Sequence, residues 1–357
     1  MITVKFFGPE QFSELKNIWE ELYLGDDMTC FQNYYWYEGI NKLYLDNAFS
    51  SNNSAVYLLA EDDGLPIMIA PFHIVKHGIS FKGFGINKGI YFIGTQTHTD
   101  YLNFIYKDFS SDAFNKIIYA ASSEFKIKNF YFEQIAQGTQ TDLFLSELKK
   151  CSKVNTVSCV EISPSESFDD YYKSLSKSVR QNLRTASNRA TKNGLDIHFK
   201  VFDRIDKSTS EILFDIYKKR VVSKNTSTDV NFKTRIIAEY YKKYNHRLQN
   251  RLFKSNYITY SMQNNINQNF ILIIYSSDKP IGFCFGLKKD RKISIMIVSF
   301  DEEFKKYSPG MIGIFKYIQS CYNNNDIPLI DLTRGNEKYK YDLGGKDHYL
   351  NYFNLNL

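Results

Sequence analysis

Two stretches of this sequence gather the residue types that chemistry needs. The first, Asp331-Leu332-Thr333-Arg334-Gly335-Asn336-Glu337-Lys338-Tyr339-Lys340-Tyr341-Asp342-Leu343-Gly344, sets acid, guanidinium, phenol and amine side by side just after a short apolar run. Such density at the C-terminal end of a strand in an α/β sheet marks a cleft. A solvated loop has the same composition. The second stretch, Asp301 to Met311, joins the β-rich run Ile293 to Phe300 to an apolar helix expected from Ile312 to Tyr322. Free N–H groups at a helix N-terminus attract phosphate, and the helix dipole adds to the attraction. Ser308 suits the N-cap and Pro309 the first helical position. Gly310 and Gly313 leave room for close approach, and Lys305 and Lys306 bring positive charge. A plain capped helix accounts for the same letters.

The elements that position these stretches follow a repeated pattern. One hairpin is read from Val56 to Phe72, around Glu61-Asp62-Asp63-Gly64-Leu65. Another is read from Phe270 to Phe285, around Ser276-Ser277-Asp278-Lys279. Each is an apolar strand, a polar turn, a proline and a second apolar strand. They align without a gap, Pro66 onto Pro280. A helix candidate and a strand follow each: Asp112 to Phe125 then Phe130 to Phe132, and Met311 to Cys321 then Leu329 to Leu332. The shared order argues for a duplicated α/β unit. Between the halves, Phe168 to Asn193 reads as an amphipathic helix closed by Gly194. It carries the basic cluster Lys173, Lys177, Arg180, Arg184, Arg189 and Lys192. Ser208 to Lys224 and Asn231 to Tyr244 read as further helices, with Asn225 to Thr228 as a loop.

Composition narrows the function classes. The 357 residues suit two domains. A formal net charge of +6 fits an acidic small-molecule ligand and is too small and scattered for duplex nucleic acid. The five cysteines form no CxxC pair, which argues against a disulfide framework or a zinc site. Cys284 and Cys321, in apolar runs, read as small core residues. His98-Thr99-Asp100 has no second histidine at ligand spacing, and His73 and His77 fall in a strand reading. No metal is expected. No Gly-x-Ser-x-Gly or Walker sequence occurs. Met1 to Lys5 reads as a strand with no signal peptide before it, and no apolar run is long enough to cross a bilayer. The expectation is a soluble, cytoplasmic protein.

The two chemical stretches together resemble those of GNAT-like acyltransferases of the CelD/BcsL type, and more distantly the Fem-type peptidyltransferases. An "ef-x-x-ySPG" turn is matched by Glu303-Phe304-Lys305-Lys306-Tyr307-Ser308-Pro309-Gly310. A "DF-x-x-G-x-e-x-YK" motif is matched by Asp331-Leu332-Thr333-Arg334-Gly335-Asn336-Glu337-Lys338-Tyr339-Lys340. The basic stretch from Ser176 to Arg184 and the pair Asp100-Tyr101 also have counterparts in that family. The resemblance implies acyl transfer from a thioester, usually acyl-CoA, to an amine. It implies donor binding along the strand ending at Val298-Ser299 and at Lys305, Lys306, Tyr307, Ser308, Gly310, Met311 and Gly313. Tyr307-Ser308-Pro309 replaces the glycines of the usual GNAT turn, so an acyl carrier protein or aminoacyl-tRNA stays open as donor.

Amine acylation needs a base, an oxyanion stabiliser and an acid for the leaving sulfur. Asp331, Glu337 and Asp100 are the candidate bases, and Tyr339 is the candidate acid. Lys340 is the candidate for an oxyanion or a substrate phosphate. Tyr101, Arg334 and Glu337 are candidates for substrate contacts. Structural salt bridges are the rival reading for Asp331, Arg334 and Lys340. The expected fold is α/β, with tandem GNAT-like halves, each a mixed, mostly antiparallel sheet flanked by helices. Residues 1–160 are expected to shape the acceptor cleft, and 161–357 to bind donor and catalyse. The expected activity is N-acylation of an amino sugar, free or nucleotide-linked, in surface-polysaccharide synthesis, with no permanently bound cofactor. A Fem-type aminoacyl transferase and a noncatalytic GNAT-like binding module are the alternatives.

Overall fold

The computed structural model describes residues 1–45, 53–77, 79–81, 84–95, 97, 99–224, 257–264 and 268–357. The loop expected at 225–228, the helix expected at 231–244, and His98 lie outside the described residues. The chain divides into two compact units, 1–158 with 348–357, and 159–347.

Unit 1 contains β1 (Ile2–Phe7), α1 (Lys16–Leu22), α2 (Tyr34–Leu45), β2 (Asn53–Asp62), β3 (Leu65–Val75), β4 (Ile79–Phe81), β5 (Phe84–Ile86), β6 (Gly89–Phe92), α3 (Ser111–Phe125), β7 (Asn129–Ala136) and α4 (Gln140–Glu147). Strand β8 (Cys151–Ile162) carries the chain into unit 2. There follow α5 (Phe168–Ser174), α6 (Lys177–Lys192), β9 (Ile197–Phe202), α7 (Lys207–Lys224), α8 (Tyr257–Asn264), β10 (Asn269–Ser276), β11 (Lys279–Lys289), β12 (Lys292–Phe300), α9 (Pro309–Asn323), β13 (Leu329–Arg334) and α10 (Lys338–Asp342). Strand β14 (Lys346–Asn356) returns the chain to unit 1.

Both units are built to one plan. Their strand orders are β1-β2-β3-β6-β7 and β9-β10-β11-β12-β13. The first four strands of each are antiparallel, and the last pair is parallel, connected through α3 or α9. The hairpins match in register as well as order: Glu61 faces Pro66, and Tyr275 faces Pro280, each just beyond a bulge. A proline has no N–H for the ladder, and a bulge is where a strand tolerates one.

Two boundaries differ from the sequence reading. The last ten residues were expected in the second half, but β14 pairs with β7 of unit 1, Leu350 opposite Ala136 and Leu355 opposite Phe130. The single helix expected from Phe168 to Asn193 is two. Leu175 turns to extended backbone, and Ser176 caps α6 by accepting from the Val179 N–H at 3.2 Å. A local serine cap outcompetes a continuous helical pattern here. At the far end, Gly194 takes the left-handed conformation (φ 71), and the Leu195 N–H reaches the Ala190 carbonyl at 3.0 Å. That is the expected glycine stop.

The core of unit 2 seats α9, with Ile312, Ile314 and Ile318, on Leu272, Ile274, Cys284 and Ile295 of the sheet. Cys284 and Cys321 are both buried, as their apolar settings predicted. Helix α6 joins the same core through Val179, Leu183 and Ala190. No described helix is long and apolar enough to cross a membrane.

Candidate functional site

The parallel pair at the centre of each unit is short. In unit 2, β12 and β13 pair over Lys292–Ser294 and Leu329–Asp331 and then part. Beyond that point β12 carries a bulge at Met296, because Phe285 faces Ile297 while Gly286 faces Ile295. Gly286 permits it: a Cβ there would stand 2.1 Å from the Ser294 carbonyl oxygen. Among the described residues, the edge of β12 from Met296 to Phe300 therefore has no strand across it toward β13. Such an edge can take an extended, amide-bearing ligand as an added strand.

Unit 1 treats the same place differently. β6 and β7 pair only at Ile90–Phe130 and Tyr91–Tyr131. Past those residues, Phe104 closes the gap, its ring centre 5.0 Å from Phe92 of β6 and 5.7 Å from Phe132 of β7. The segment carrying it is pinned by paired hydrogen bonds between Ile105 and Ile69, both 2.8 Å. Phe114 of α3 backs the cluster, 5.4 Å from Phe104. At the positions that correspond to Phe92 and Phe132, unit 2 has Ile295 and Leu332, neither aromatic.

The turn from β12 to α9 is a short 3-10 helix, Glu302–Tyr307, followed by Ser308 in left-handed backbone (φ 48). Ser308 occupies the N-cap position, but its side chain makes no capping bond. The expected capping serine is thus a hinge between two helices. Its N–H goes to the Lys305 carbonyl at 3.0 Å, and Pro309 has no N–H. The amides of Gly310 and Met311 are left without a partner among the described residues, at the positive end of the α9 dipole. The glycines serve the sheet: a Cβ on Gly310 would lie 2.7 Å from Val298 Cγ1, and one on Gly313 2.6 Å from Ile274 Cδ1. Their room is for helix against strand, and Gly313 faces the core.

Tyr307 is buried, and its hydroxyl accepts from Asn193 at 2.7 Å. That bond, with Lys306 and Arg189 nearby, pulls its phenol below the usual range. Arg189 also donates to the Lys306 carbonyl at 3.0 Å. The C-terminal end of α6 therefore braces the turn, which the sequence did not announce. Lys305 and Lys306 are exposed, with Lys305 3.9 Å from Glu302. Ser299 is buried on β12, its hydroxyl without a hydrogen-bond partner among the described residues. A cavity of about 80 Å³ lies between α6 and α9, lined by Ser187, Thr191, Asp196 and Lys316. It is too small for a cofactor.

The end of β13 gathers Asp331, Arg334, Glu337, Tyr339 and Lys340. Asp331 is fully buried. Its carboxylate accepts from the Thr333 N–H at 2.7 Å and the Ser294 hydroxyl at 3.3 Å, and pairs with Lys292 at 3.2 Å. The geometry supports the salt-bridge reading of Asp331. Lys340 departs from its expected role in the same way. Its ammonium, 2 % exposed, donates to the carbonyls of Thr333 (3.1 Å), Arg334 (2.7 Å) and Gly335 (3.1 Å), and pairs with Glu337 at 3.1 Å. An ammonium has three N–H bonds. All are committed to the protein, so Lys340 holds the strand end rather than an oxyanion.

Thr333, which the sequence reading passed over, sits in left-handed backbone (φ 55) and donates to the Ile295 carbonyl on β12 at 3.1 Å. That conformation is strained for a β-branched residue by about 1–3 kcal/mol, and the Lys340 clamp helps hold it. Arg334 is half-buried. Glu337 is half-exposed and folds over Gly335, whose φ of 107 only glycine adopts readily. Tyr339 is half-buried on the unit 2 core, and its hydroxyl makes no hydrogen bond among the described residues. Burial, then Glu337 and Cys284, push its phenol well up, so it keeps its proton at neutral pH.

Asp100 and Tyr101 belong to unit 1 and are both buried. Tyr101 is also left-handed (φ 54), and its carbonyl accepts from the Gln32 amide. Its hydroxyl meets His348 Nε2 at 2.5 Å with the rings near parallel. His348 carries no sequence signal, because only the return of β14 brings it to Tyr101.

Residues 177–341 match the family model of the acetyltransferase (GNAT) domain. This segment is a GNAT domain. It begins at α6 and ends in α10, so it contains the β12 edge, the turn and the β13 motif. None of the curated proteins matches the chain. Solved structures resemble the whole chain. FemX aligns at 8% identity over 99% of this chain and 97% of its own, with a TM-score of 0.55. A conserved protein of unknown function from Bacteroides thetaiotaomicron aligns at 11% over all of both chains, TM-score 0.54. L-PGS from Bacillus licheniformis aligns at 11% over 97% and 90%, TM-score 0.50. At such identities the similarity is one of fold. Residues 177–341 thus carry a GNAT-type acyltransferase fold.

Proposed function

We propose that this protein is a cytoplasmic N-acyltransferase of CelD/BcsL-like type that moves an acyl group other than an amino-acyl group from a pantetheine thioester, such as acetyl-CoA, to an amine. The unpaired β12 edge beside the uncapped α9 N-terminus carries the reading. An amide-containing arm lies along the edge, and its phosphate meets the Gly310 and Met311 amides and Lys305 and Lys306. Val298 and Ser299 flank the arm. Unit 1, with its gap filled by Phe104, binds no donor, and we assign acceptor recognition to it, with Asp100 and Tyr101 as candidates.

In this scheme the acceptor enters as a neutral amine and attacks the thioester carbonyl, forming a tetrahedral intermediate. Tyr339 gives its proton to the departing sulfur. Glu337 takes the proton from nitrogen, directly or through water, because it is the one carboxylate of Asp100, Asp331 and Glu337 that is not buried. Arg334 contacts the substrate, and Lys340 fixes the strand end that presents all of these groups. An amino sugar, free or nucleotide-linked, is the acceptor class that the family resemblance favours.

The test is thermal unfolding with acetyl-CoA, a longer acyl-CoA, and charged tRNA. A ligand that binds only the folded state raises the melting temperature. A rise with either acyl-CoA supports the reading. A rise with charged tRNA alone replaces it with a Fem-type reaction, and no rise with any pantetheine thioester removes it.

A further inference from the structure

One stretch of this sequence is wholly basic. From Tyr171 to Leu195 there are six cations and no acid, while the formal net charge of the complete chain is +6. These six cations lie on α6 and the residue stretch leading into it. The nearest acids in sequence are Asp170 before the stretch and Asp196 after it.

These cations face outward. Lys173, Lys177, Arg184, Arg189 and Lys192 are exposed, while Val179, Leu183 and Ala190 turn the other side of the helix into the core. Two arginines are partly occupied: Arg180 donates to the Lys173 carbonyl at 2.8 Å, Arg184 to the Tyr172 hydroxyl at 3.1 Å, and both lie over the Tyr172 ring. Lys173, Lys177 and Lys192 have no acid partner among the described residues. The face continues onto the donor turn, because Arg189 holds the Lys306 carbonyl and Asn193 holds the Tyr307 hydroxyl. Lys305 and Lys306 extend it to the N-terminus of α9. Two acids share the turn, Glu302, 3.9 Å from Lys305, and the exposed Glu303.

We infer that the exposed face of α6 is the docking surface for an acidic acyl carrier protein, which delivers the acyl group on its phosphopantetheine arm. The inference rests on the acyltransferase reading above and names its partner. Length agrees: 16 helical residues span about 24 Å, the scale of one short helix of a small protein. Chemistry separates this partner from RNA. Single-stranded RNA ends are held by exposed aromatic rings and arginine forks. In the basic stretch Tyr171 is buried and the Tyr172 ring lies under Arg180 and Arg184, so no ring is open to a base, and the unencumbered charges are lysines, which steer carboxylates. The donor turn points the same way. Pro309 has no N–H, and the Ser308 N–H is spent on Lys305, so two amides remain. Two amides suit the single phosphodiester of a carrier-bound arm, whereas CoA presents a pyrophosphate and a further ribose phosphate.

The test measures binding of acyl-loaded and unmodified acyl carrier protein, acetyl-CoA, and deacylated tRNA to the full chain. The variant is the triple charge reversal Lys173→Glu, Lys177→Glu, Lys192→Glu, all exposed and outside the donor turn. We expect acyl carrier protein to bind the wild type, to weaken steeply with salt, and to lose at least tenfold in the variant. The melting temperature without ligand and the shift caused by acetyl-CoA stay as in the wild type. Carrier binding that the triple variant leaves intact overturns the inference, as does binding of tRNA but not of carrier. An acetyl-CoA shift without any carrier binding overturns the docking surface and leaves the acyltransferase reading standing. No response to carrier or to CoA sinks both.

Discussion

The Lys340 ammonium lies 2.7 Å from the backbone carbonyl of Arg334, six residues earlier in the chain. With the neighbouring carbonyls of Thr333 and Gly335, it folds the end of β13 around a buried cation. Replacing Lys340 by Met keeps the aliphatic stem and removes every donor. The left-behind carbonyls and Glu337 are partly reachable by water, so a loss of about 2–4 kcal/mol is expected. Urea unfolding measures it. A variant as stable as the wild type would mean that the clamp carries no weight.

Tyr339→Phe should spare the fold and slow the reaction. The hydroxyl makes no hydrogen bond among the described residues, so stability should move by less than about 1 kcal/mol. Loss of a positioned acid lowers turnover by about 10²-fold, and less when the leaving group is a good thiolate. The phenol is raised well above 10, so the wild-type rate should show no alkaline fall from Tyr339 below pH 10. Equal rates for the two proteins would take Tyr339 out of the chemistry.

Gly310→Ala should lift the N-terminal end of α9 from β12. The added methyl meets Val298 Cγ1 at 2.7 Å, and a valine is stiff at χ1. Overpacking of this kind costs about 1–3 kcal/mol, against a helix-propensity gain of about 1. Donor affinity should drop with the displaced amides. Adding Val298→Ala supplies the missing space and should restore both stability and affinity. A double variant no better than the single would show that the contact is not the cause.

Acid should weaken unit 1 through His73. This ring is buried, bonded to the Tyr44 hydroxyl at 2.5 Å, and burial lowers its pKa to about 4 from an ordinary 6.5. Between those values the unfolded chain binds a proton that the folded one refuses. Stability is therefore full above pH 6.5 and falls as pH drops toward 4. The contribution at pH 5 is a loss of about 2 kcal/mol relative to pH 7. Denaturation at the two pH values, compared with His73→Gln, isolates it. The variant should show the smaller pH dependence, and identical slopes would contradict the assignment.

Hydrophobic runs and turn residues carried most of the fold. The paired prolines of the two hairpins, the glycine after α6 and the strand preceding Asp331 were all visible as local patterns, because local patterns produced them. The site was legible as a location but less so as roles. Asp331 and Lys340 read as reactive groups, yet the partners that occupy them, Lys292 and three backbone carbonyls, come from register and from a bulge. No single-sequence rule places Thr333 in left-handed backbone against Ile295. Phe104 looked like one more aromatic in an aromatic-rich chain, and only the parting of β6 and β7 gives it a gap to close. The glycine at 286, in the middle of an apolar strand, was the one overlooked signal of the β12 bulge.

The return of β14 to unit 1 has a temporal side. Residues 348–357 leave the ribosome after the whole of unit 2, and they supply the strand that pairs with β7. The first unit to be synthesised is thus the last to be completed, and the unit translated in between can finish ahead of it. A nonsense mutation at codon 348 would injure the N-terminal unit more than the one translated just before it. Cutting the gene after residue 158 would not yield two independent proteins.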